Sequence, residues 1–287
     1  MKKPIREIKF NARNRLEYNY PRLAGGCALV GVITFTALFI VYVIQVLNMD
    51  LPSVLNAMYS GDPKALAEII DTMSRDLLYN AITFIALLIA SVIIALASTG
   101  YTKTILNVSR GGKPDLMDLA FPIKNNPDKI VILSLILFAI TLIQELPGLI
   151  RTFTGGQAAG SVSDAVSEAD PLAAADAVSA AGSVSSGDVV MLVVEIVLMI
   201  AVIAVNIYFS QASYLYLDDP EMPVKELITE SVELMKGNVF RYILLNLSFI
   251  PWYILSMFTF GIGFVFVVPY HSMALVVFYR DLRGEYA

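Results

Sequence analysis

Two acidic side chains within apolar stretches are the residues of this sequence that could most readily do chemistry. Glu145, with Gln144 beside it, and Glu195 lie in consecutive apolar runs. Carboxylates at membrane depth are costly and usually face a bundle interior or an aqueous cavity, where two close ones can share a proton or hold a cation. The spacing predicts that both lie in the outer third of the membrane and form a polar site. The structural alternative is hydration near the outer surface, or pairing with Arg151.

His271 is the only histidine of the chain, and we include it among the candidate polar residues. One imidazole without further histidine or cysteine ligands gives no metal-site spacing. An interhelical hydrogen bond is therefore the favoured interpretation of His271. The sequence also lacks a phosphate-binding glycine-rich loop with lysine, a serine elbow and a paired-histidine motif. We therefore predict a non-enzymatic protein with no cofactor and no metal.

The composition excludes a water-soluble domain. Apolar residues make up 57% of the 287 residues and charged residues 16%, and mean hydropathy is +0.69. A soluble domain has an apolar share below about half and a charged share near a quarter. The net charge of −5 disfavours nucleic acid as a partner, and the single cysteine, Cys27, excludes an internal disulfide.

Six apolar runs are each long enough to cross a hydrocarbon layer about 30 Å thick. They predict an all-α, polytopic six-span transmembrane bundle that forms one membrane domain over residues 1–287. Pro251 and Pro269 are expected to kink the last two spans. The six runs are Leu23 to Leu47, Leu77 to Ala97, Ile130 to Ile150, Val189 to Leu217, Tyr242 to Phe258 and Ile262 to Tyr279.

The basic residues predict the orientation of these spans. Seventeen of the 20 Lys and Arg residues fall in the N-terminal segment, the second and fourth connections and the C-terminal segment. Positively charged flanks stay cytoplasmic, so both termini are placed in the cytoplasm of a multi-pass plasma-membrane protein. Tyrosines near the inner ends are expected to anchor in headgroups: Tyr18, Tyr20, Tyr208, Tyr214, Tyr216 and Tyr279.

A threefold internal repeat is a further prediction. An amphipathic segment leads three times to Asn, two variable residues, a basic residue and an apolar span, with the pairs Asn19 and Arg22, Asn126 and Lys129, and Asn238 and Arg241. Each amphipathic segment would lie on the inner membrane surface. The Asn would adopt the left-handed conformation that ends a helix, and the basic residue would reach lipid headgroups. The units would be 1–98, 115–217 and 224–279, unless basic, amphipathic approaches to membrane spans merely look alike.

One connection differs in composition from the others. Residues 152–187 are mostly Ala, Ser, Gly, Val and Asp, with almost nothing large to bury. Such low-complexity composition predicts a flexible extracytoplasmic loop. A linker is the favoured interpretation, and a substrate lid is the alternative.

Several short motifs are concentrated in about the last 55 residues: Lys236-Gly237-Asn238, Leu247 to Ile250, Trp252-Tyr253, Thr259 to Gly263, Pro269-Tyr270 and Phe278 to Leu282, with Ala12-Arg13, Leu16 and Asn19-Tyr20 near the start. Together they resemble the motifs of the DUF975 family of bacterial integral membrane proteins. The resemblance implies the membrane class and topology. It implies no biochemical activity, because the family has no established one.

Two functions remain open from sequence. The first is a bundle that binds or translocates a small solute, an ion or a lipid, with the intramembrane carboxylates at its site. The second is a non-transporting accessory or scaffold that organises the envelope or binds a protein partner through basic cytoplasmic helices. Both predict contact with the lipid bilayer and with anionic headgroups at its cytoplasmic face.

Overall fold

The computed structural model describes residues 3–49, 51–61, 65, 69, 77–154, 186–259 and 261–285, with the backbone alone at 77, 145, 148–154 and 186–189. These residues form helices and no strands. The helices are α1 (Ile5–Leu16), α2 (Tyr20–Leu47), α3 (Leu51–Ser60), α4 (Leu77–Ser109), a 3-10 helix (Leu116–Ala120), α5 (Phe121–Lys124), α6 (Pro127–Thr154), α7 (Ser186–Phe209), α8 (Ala212–Asp218), α9 (Val224–Met235), α10 (Val239–Leu247), α11 (Ile250–Phe258) and α12 (Phe264–Leu282).

The predicted all-α class and its six candidate spans are confirmed. Six segments of the described chain are long and apolar enough to cross a membrane. Two of them are interrupted: α7 and α8 are separated at Ser210 and Gln211, and α10 and α11 at Ser248 and Phe249. The interruption in the fifth segment agrees with the kink expected from Pro251, which occupies the first turn of α11. Pro269, in contrast, lies inside the continuous helix α12.

The chain divides into two compact units. Unit 1 contains Met1–Ile40, Leu88–Leu137 and Ala204–Ala287, and unit 2 contains Val41–Leu87 and Phe138–Ile203. In unit 2, the rings of Phe84 and Phe138 pack with their centroids 5.4 Å apart. Unit 1 contains nearly all of the buried apolar residues, including Ile105, Leu106, Leu215 and Phe278.

Helix α1 packs inside unit 1, and the expectation that its apolar face rests on the inner leaflet is wrong. Ile8, Ala12 and Leu16 recur at helical spacing and are almost completely buried. They face the protein because α1 packs against α12. Burying this stripe against another helix removes the same apolar area from water that a membrane surface would.

The three Asn motifs differ in structure. Asn126 has a φ of 50°, as predicted, and among the described residues it is the non-glycine residue with a positive φ. Asn238 has a φ of −118°, because Gly237 before it takes the left-handed conformation, with a φ of 74°. The predicted left-handed Asn is therefore wrong for Asn19 and Asn238.

Two of the three basic motif residues bind protein acceptors and do not extend to headgroups as predicted. Lys129 donates to the carbonyl of Pro220, and Arg241 pairs with Asp281 at 2.6 Å. Arg22 is exposed, as the prediction requires. The motif thus serves mainly to fasten connections within unit 1, and the threefold repeat itself stays a prediction.

The segment before the third span is not the single amphipathic helix that periodicity predicts. It is a 3-10 helix followed by the four-residue α5. Pro122 in the first turn of α5 explains the change, because proline cannot supply the backbone N–H of a continuous α-helix. The predicted loop at 152–187 is described only at its helical ends, and residues 155–185 lie outside the described residues.

Most of the predicted tyrosine anchors belong to the core. Tyr216 and Tyr279 are fully buried, and Tyr279 stacks on Tyr214 with ring centroids 5.1 Å apart. Tyr20 stacks on Phe266. A buried tyrosine needs a partner for its hydroxyl, and Tyr216 donates to the carbonyl of Asn125. Tyr18 is exposed and remains available as an anchor.

Candidate functional site

The predicted carboxylate pair stays a prediction. Glu195 on α7 and Gln144 on α6 are half-buried within unit 2. The side chain of Glu145 lies outside the described residues.

His271 makes the interhelical hydrogen bonds that were predicted for it. Its Nδ1 lies 2.8 Å from the hydroxyl of Tyr253, and its Nε2 lies 3.1 Å from Oδ1 of Asn246. The imidazole also stacks on Phe249 with ring centroids 4.5 Å apart. With both ring nitrogens bonded to the neighbouring helices α10 and α11, His271 holds α12 against them.

Lys9 binds at the interruption between α10 and α11. Its Nζ lies 3.3 Å from the hydroxyl of Ser248 and 4.7 Å from the centre of the Phe249 ring. A cation is favourable at the C-terminus of a helix, where carbonyl groups lack partners. Burial lowers the pKa of Lys9 from its ordinary value. Lys9 therefore attaches α1 to the interrupted segment.

A cluster of arginines and carboxylates forms where α4, α8 and α12 end. Arg110, directly after α4, binds Asp218 through two hydrogen bonds of 2.7 and 3.2 Å. Asp218 also accepts a 2.6 Å hydrogen bond from the hydroxyl of Tyr279. Such a forked pair fixes the plane of a guanidinium. The hydrogen bonds that Arg110 donates to Asp218 raise the pKa of Arg110.

Glu285 reaches this cluster because the chain reverses after α12. Gly284 has a φ of 75°, and the backbone N–H of Glu285 donates to the carbonyl of Arg280 at 3.0 Å. A left-handed glycine just past a helix gives this reversal, since glycine has no Cβ to clash. The carboxylate of Glu285 is thereby returned to the end of its own helix.

The Glu285 carboxylate lies between two guanidinium groups. Its Oε1 lies 2.5 Å from Nη2 of Arg110, and its Oε2 lies 2.6 Å from Nε of Arg280. Partial burial raises the pKa of Glu285, but the hydrogen bonds from Arg110 and Arg280 outweigh it, so the pKa lies below its ordinary value. Glu285 is thus ionised at neutral pH. Its contribution to stability is lost as the pH falls through that lowered pKa.

Arg280 is the most deeply placed cation of the cluster. The residue is 8% exposed, and its Nη1 donates to the backbone carbonyl of Ser109. Arg280 therefore joins the end of α4 to Glu285. A buried arginine is tolerated when its donors are paired in this way.

An open cavity of 580 Å³ adjoins the cluster. Its lining combines two arginines, two carboxylates and two leucines: Arg110, Asp218, Leu234, Leu282, Arg283 and Glu285. Arg283 on this lining pairs with Glu230. Two guanidinium groups and two carboxylates thus line the cavity. Within the described residues no group of three or more His, Cys, Asp and Glu could hold a metal ion.

Sequence reasoning missed this cluster. Arg110 and Arg283 entered only the orientation argument, Arg280 entered that argument and the family motif Phe278 to Leu282, and neither Asp218 nor Glu285 was a candidate. One local signal was present, because a glycine just past a helix, as in Arg283-Gly284-Glu285, indicates a chain reversal. The partners on α4 and α8 are more than 60 residues away in sequence, and nothing local identifies them.

Comparison with known proteins gives a family but no activity. The family model described as "Protein of unknown function (DUF975)" matches residues 5–286. No curated protein matches the chain, and no solved structure does so. Because the family model spans nearly the whole sequence, this chain belongs to the DUF975 family.

Proposed function

We propose that this multi-pass membrane protein binds a small anionic molecule bearing a phosphate group, as a solute or as a lipid headgroup, in the arginine-lined cavity. One observation carries the proposal: the carboxylate of Glu285 is held between Arg110 and Arg280 at the cavity wall. Two guanidinium groups that converge on one oxyanion form a phosphate-binding arrangement. Glu285 then occupies the position of a ligand oxyanion.

Exchange of Glu285 for such a ligand is energetically accessible. The side chains of Arg110 and Glu285 are 36% and 26% exposed, and partly exposed ion pairs contribute only about 0–1 kcal/mol. Asp218 holds Arg110 in place when Glu285 leaves, because its two hydrogen bonds do not depend on Glu285. The guanidinium groups of Arg110 and Arg280, here called the clamp, are therefore in place before the ligand arrives. This lowers the entropic cost of binding.

Glu285→Gln tests this function in the full chain purified in detergent. The amide cannot pair ionically with the two arginines, so we expect calorimetry to show that inorganic pyrophosphate binds about fivefold more tightly than to wild type, the factor that corresponds to about 1 kcal/mol. Glu226→Gln is the matched control, because it removes one negative charge from an exposed position of α9. The control should bind as wild type does.

Adding Arg110→Gln to Glu285→Gln should abolish the gain. Equal affinities for Glu285→Gln and Glu226→Gln would show that overall charge, and not the clamp, determines binding. The absence of pyrophosphate binding in every variant would reject the proposed solute. A parallel titration with nanodiscs containing phosphatidic acid separates a lipid headgroup from a soluble ligand.

The remaining parts of the proposal rest on sequence. The chain acts by binding and not by catalysis, since it lacks the enzyme motifs sought above. Both termini lie in the cytoplasm, as the lysine and arginine distribution indicates. The arginine-lined cavity then opens to the cytoplasm, because all of its lining residues except Leu234 of α9 lie at or just after the ends of α4, α8 and α12.

An accessory function that uses anionic lipid is a second candidate. Arg6, Arg13 and Arg15 of α1 are exposed, and Phe10 is exposed on the same helix. Basic residues near a membrane surface contribute about 1 kcal/mol each to binding of anionic lipid, and an exposed aromatic ring settles among the headgroups. This surface suits attachment to the inner leaflet.

Charge reversal of α1 tests the accessory function. Nanodiscs that hold the full chain with Arg6→Glu, Arg13→Glu and Arg15→Glu should lose most of the phosphatidylserine that copurifies with wild type. Lipid mass spectrometry measures the ratio. An unchanged phosphatidylserine content would reject this surface, and the pyrophosphate titration would be unaffected by either result.

A further inference from the structure

The segment from Lys3 to Tyr20, which contains α1, runs antiparallel to α12. At one end, the backbone N–H of Lys3 donates to Asp281 at 3.2 Å. In the middle, the hydroxyl of Tyr270 donates to the carbonyl of Lys9 at 3.4 Å. At the other end, the hydroxyl of Tyr20 donates to the carbonyl of Val265 at 3.2 Å. The start of α2 therefore lies beside the start of α12.

This contact is incompatible with a chain that crosses the membrane six times. With six spans, α2 begins at the inner face and α12 begins at the outer face, so Tyr20 and Val265 would be separated by a hydrocarbon layer about 30 Å thick. Their side-chain and backbone oxygens are 3.2 Å apart. Either α1 lies across the membrane, or α12 does not cross it.

Helix α1 cannot lie across the membrane. Its 12 residues extend only about 18 Å, short of the hydrocarbon thickness. Arg6, Arg13 and Arg15 are exposed on its surface, and arginine exposed to lipid tails is costly. The alternative that remains is that α12 lies beside α1 at the inner face.

The last two apolar segments also differ from the first four. Their mean hydropathies are 1.3 and 1.2, against 1.8 to 2.8 for the others. Half of the residues in the apolar stretch of α12 are buried inside the protein, against at most 17% in every other segment. They also carry Arg241, Arg280 and Asp281 within their bounds. These are properties of an amphipathic layer and not of a lipid-exposed span.

The outward surface of α10 and α11 is apolar. Leu247, Trp252, Met257 and Phe258 are exposed on it. The opposite side of α10 and α11 packs against Lys9 of α1 and His271 of α12. An apolar face of this size next to the basic surface of α1 suits the boundary between headgroups and acyl chains.

We propose that α10, α11 and α12 form a hairpin that lies along the inner leaflet, at the boundary between headgroups and acyl chains, and does not cross the membrane. The lipid tails of that leaflet cover its apolar face. The chain then crosses the membrane four times, through α2, α4, α6 and the segment formed by α7 and α8. This topology keeps both termini in the cytoplasm, and it does not depend on the proposed ligand.

The tip of the hairpin distinguishes four crossings from six. Thr259 at the tip is exposed, and Thr259→Cys in a Cys27→Ser chain places the single thiol there. We expect a membrane-impermeant maleimide to label it at least tenfold more in inside-out vesicles than in intact cells. Tyr18→Cys serves as the inner control and Tyr59→Cys as the outer control, because both positions are exposed.

Labelling of position 259 in intact cells, at the level of the Tyr59→Cys control, would establish six crossings and overturn the proposal. Failure to label position 259 from either side would also contradict it, because the inner interface is open to the reagent. Labelling with the pattern of Tyr18→Cys supports it. Thermal unfolding of each variant establishes that the labelled chains are folded.

Discussion

Gly100→Ala is expected to destabilise the protein by about 1–3 kcal/mol, the range for overpacking a well-filled site. Gly100 lies inside α4, where alanine would normally stabilise a helix by about 1 kcal/mol relative to glycine. Here a Cβ would lie 2.2 Å from the carbonyl oxygen of Leu119 and 2.7 Å from its carbonyl carbon. These are backbone atoms of the 3-10 helix, so the whole connection to α6 must shift.

Gly31→Ala is the matched control, because alanine should there have its ordinary stabilising effect on a helix. Gly31 is also helical, but an added Cβ would meet nothing within 4 Å. The midpoint of thermal unfolding in detergent, followed by circular dichroism, should fall for Gly100→Ala and stay level or rise for Gly31→Ala. Equal midpoints for the two variants would show that α4 does not pack against the backbone of Leu119.

Arg280→Gln is the second substitution with a large expected effect, a loss of about 1–3 kcal/mol in the free energy of unfolding, the cost of leaving a buried acceptor without its donor. The change removes the donor to the buried Ser109 carbonyl and one of the two guanidinium partners of Glu285. An unpaired buried acceptor costs about 1–3 kcal/mol by itself. Arg280→Lys should recover only part of the loss, because one ammonium cannot reproduce the fork.

Arg283→Gln separates this effect from a general loss of charge. Arg283 lies three residues further along the chain, and its ion pair with Glu230 is partly exposed. Such surface pairs contribute about 0–1 kcal/mol. Chemical denaturation of both variants measures the difference, and equal losses would mean that Arg280 is no more deeply embedded than Arg283.

The elements of the fold were largely predictable from sequence. Runs of apolar residues determine membrane helices because hydrocarbon leaves the backbone no partners other than its own. The kink near Pro251 and the hydrogen-bonded role of His271 also followed from local chemistry. The apolar stripe of α1 was recognised correctly, but its partner was not, because a stripe looks the same whether it packs on a lipid surface or on α12.

The arginine cluster was not predictable in the same way. Arg110, Asp218 and Glu285 come from three parts of the chain, and only the folded structure brings them together. Tyr216 and Tyr279 show the same limit, since an aromatic residue near the end of an apolar run can anchor in headgroups or pack in a core. The choice depends on which helices meet, and periodicity does not report that.

Crystals of Glu285→Gln soaked with tungstate, a heavy analogue of phosphate, give the most direct test of the proposed site. The proposed function predicts an anomalous peak between the guanidinium groups of Arg110 and Arg280, where wild type holds the Glu285 carboxylate. No such peak should form when Arg110→Gln is added. A cavity without tungstate in Glu285→Gln, or a peak that persists after Arg110→Gln, would contradict the claim that these arginines form an anion-binding site.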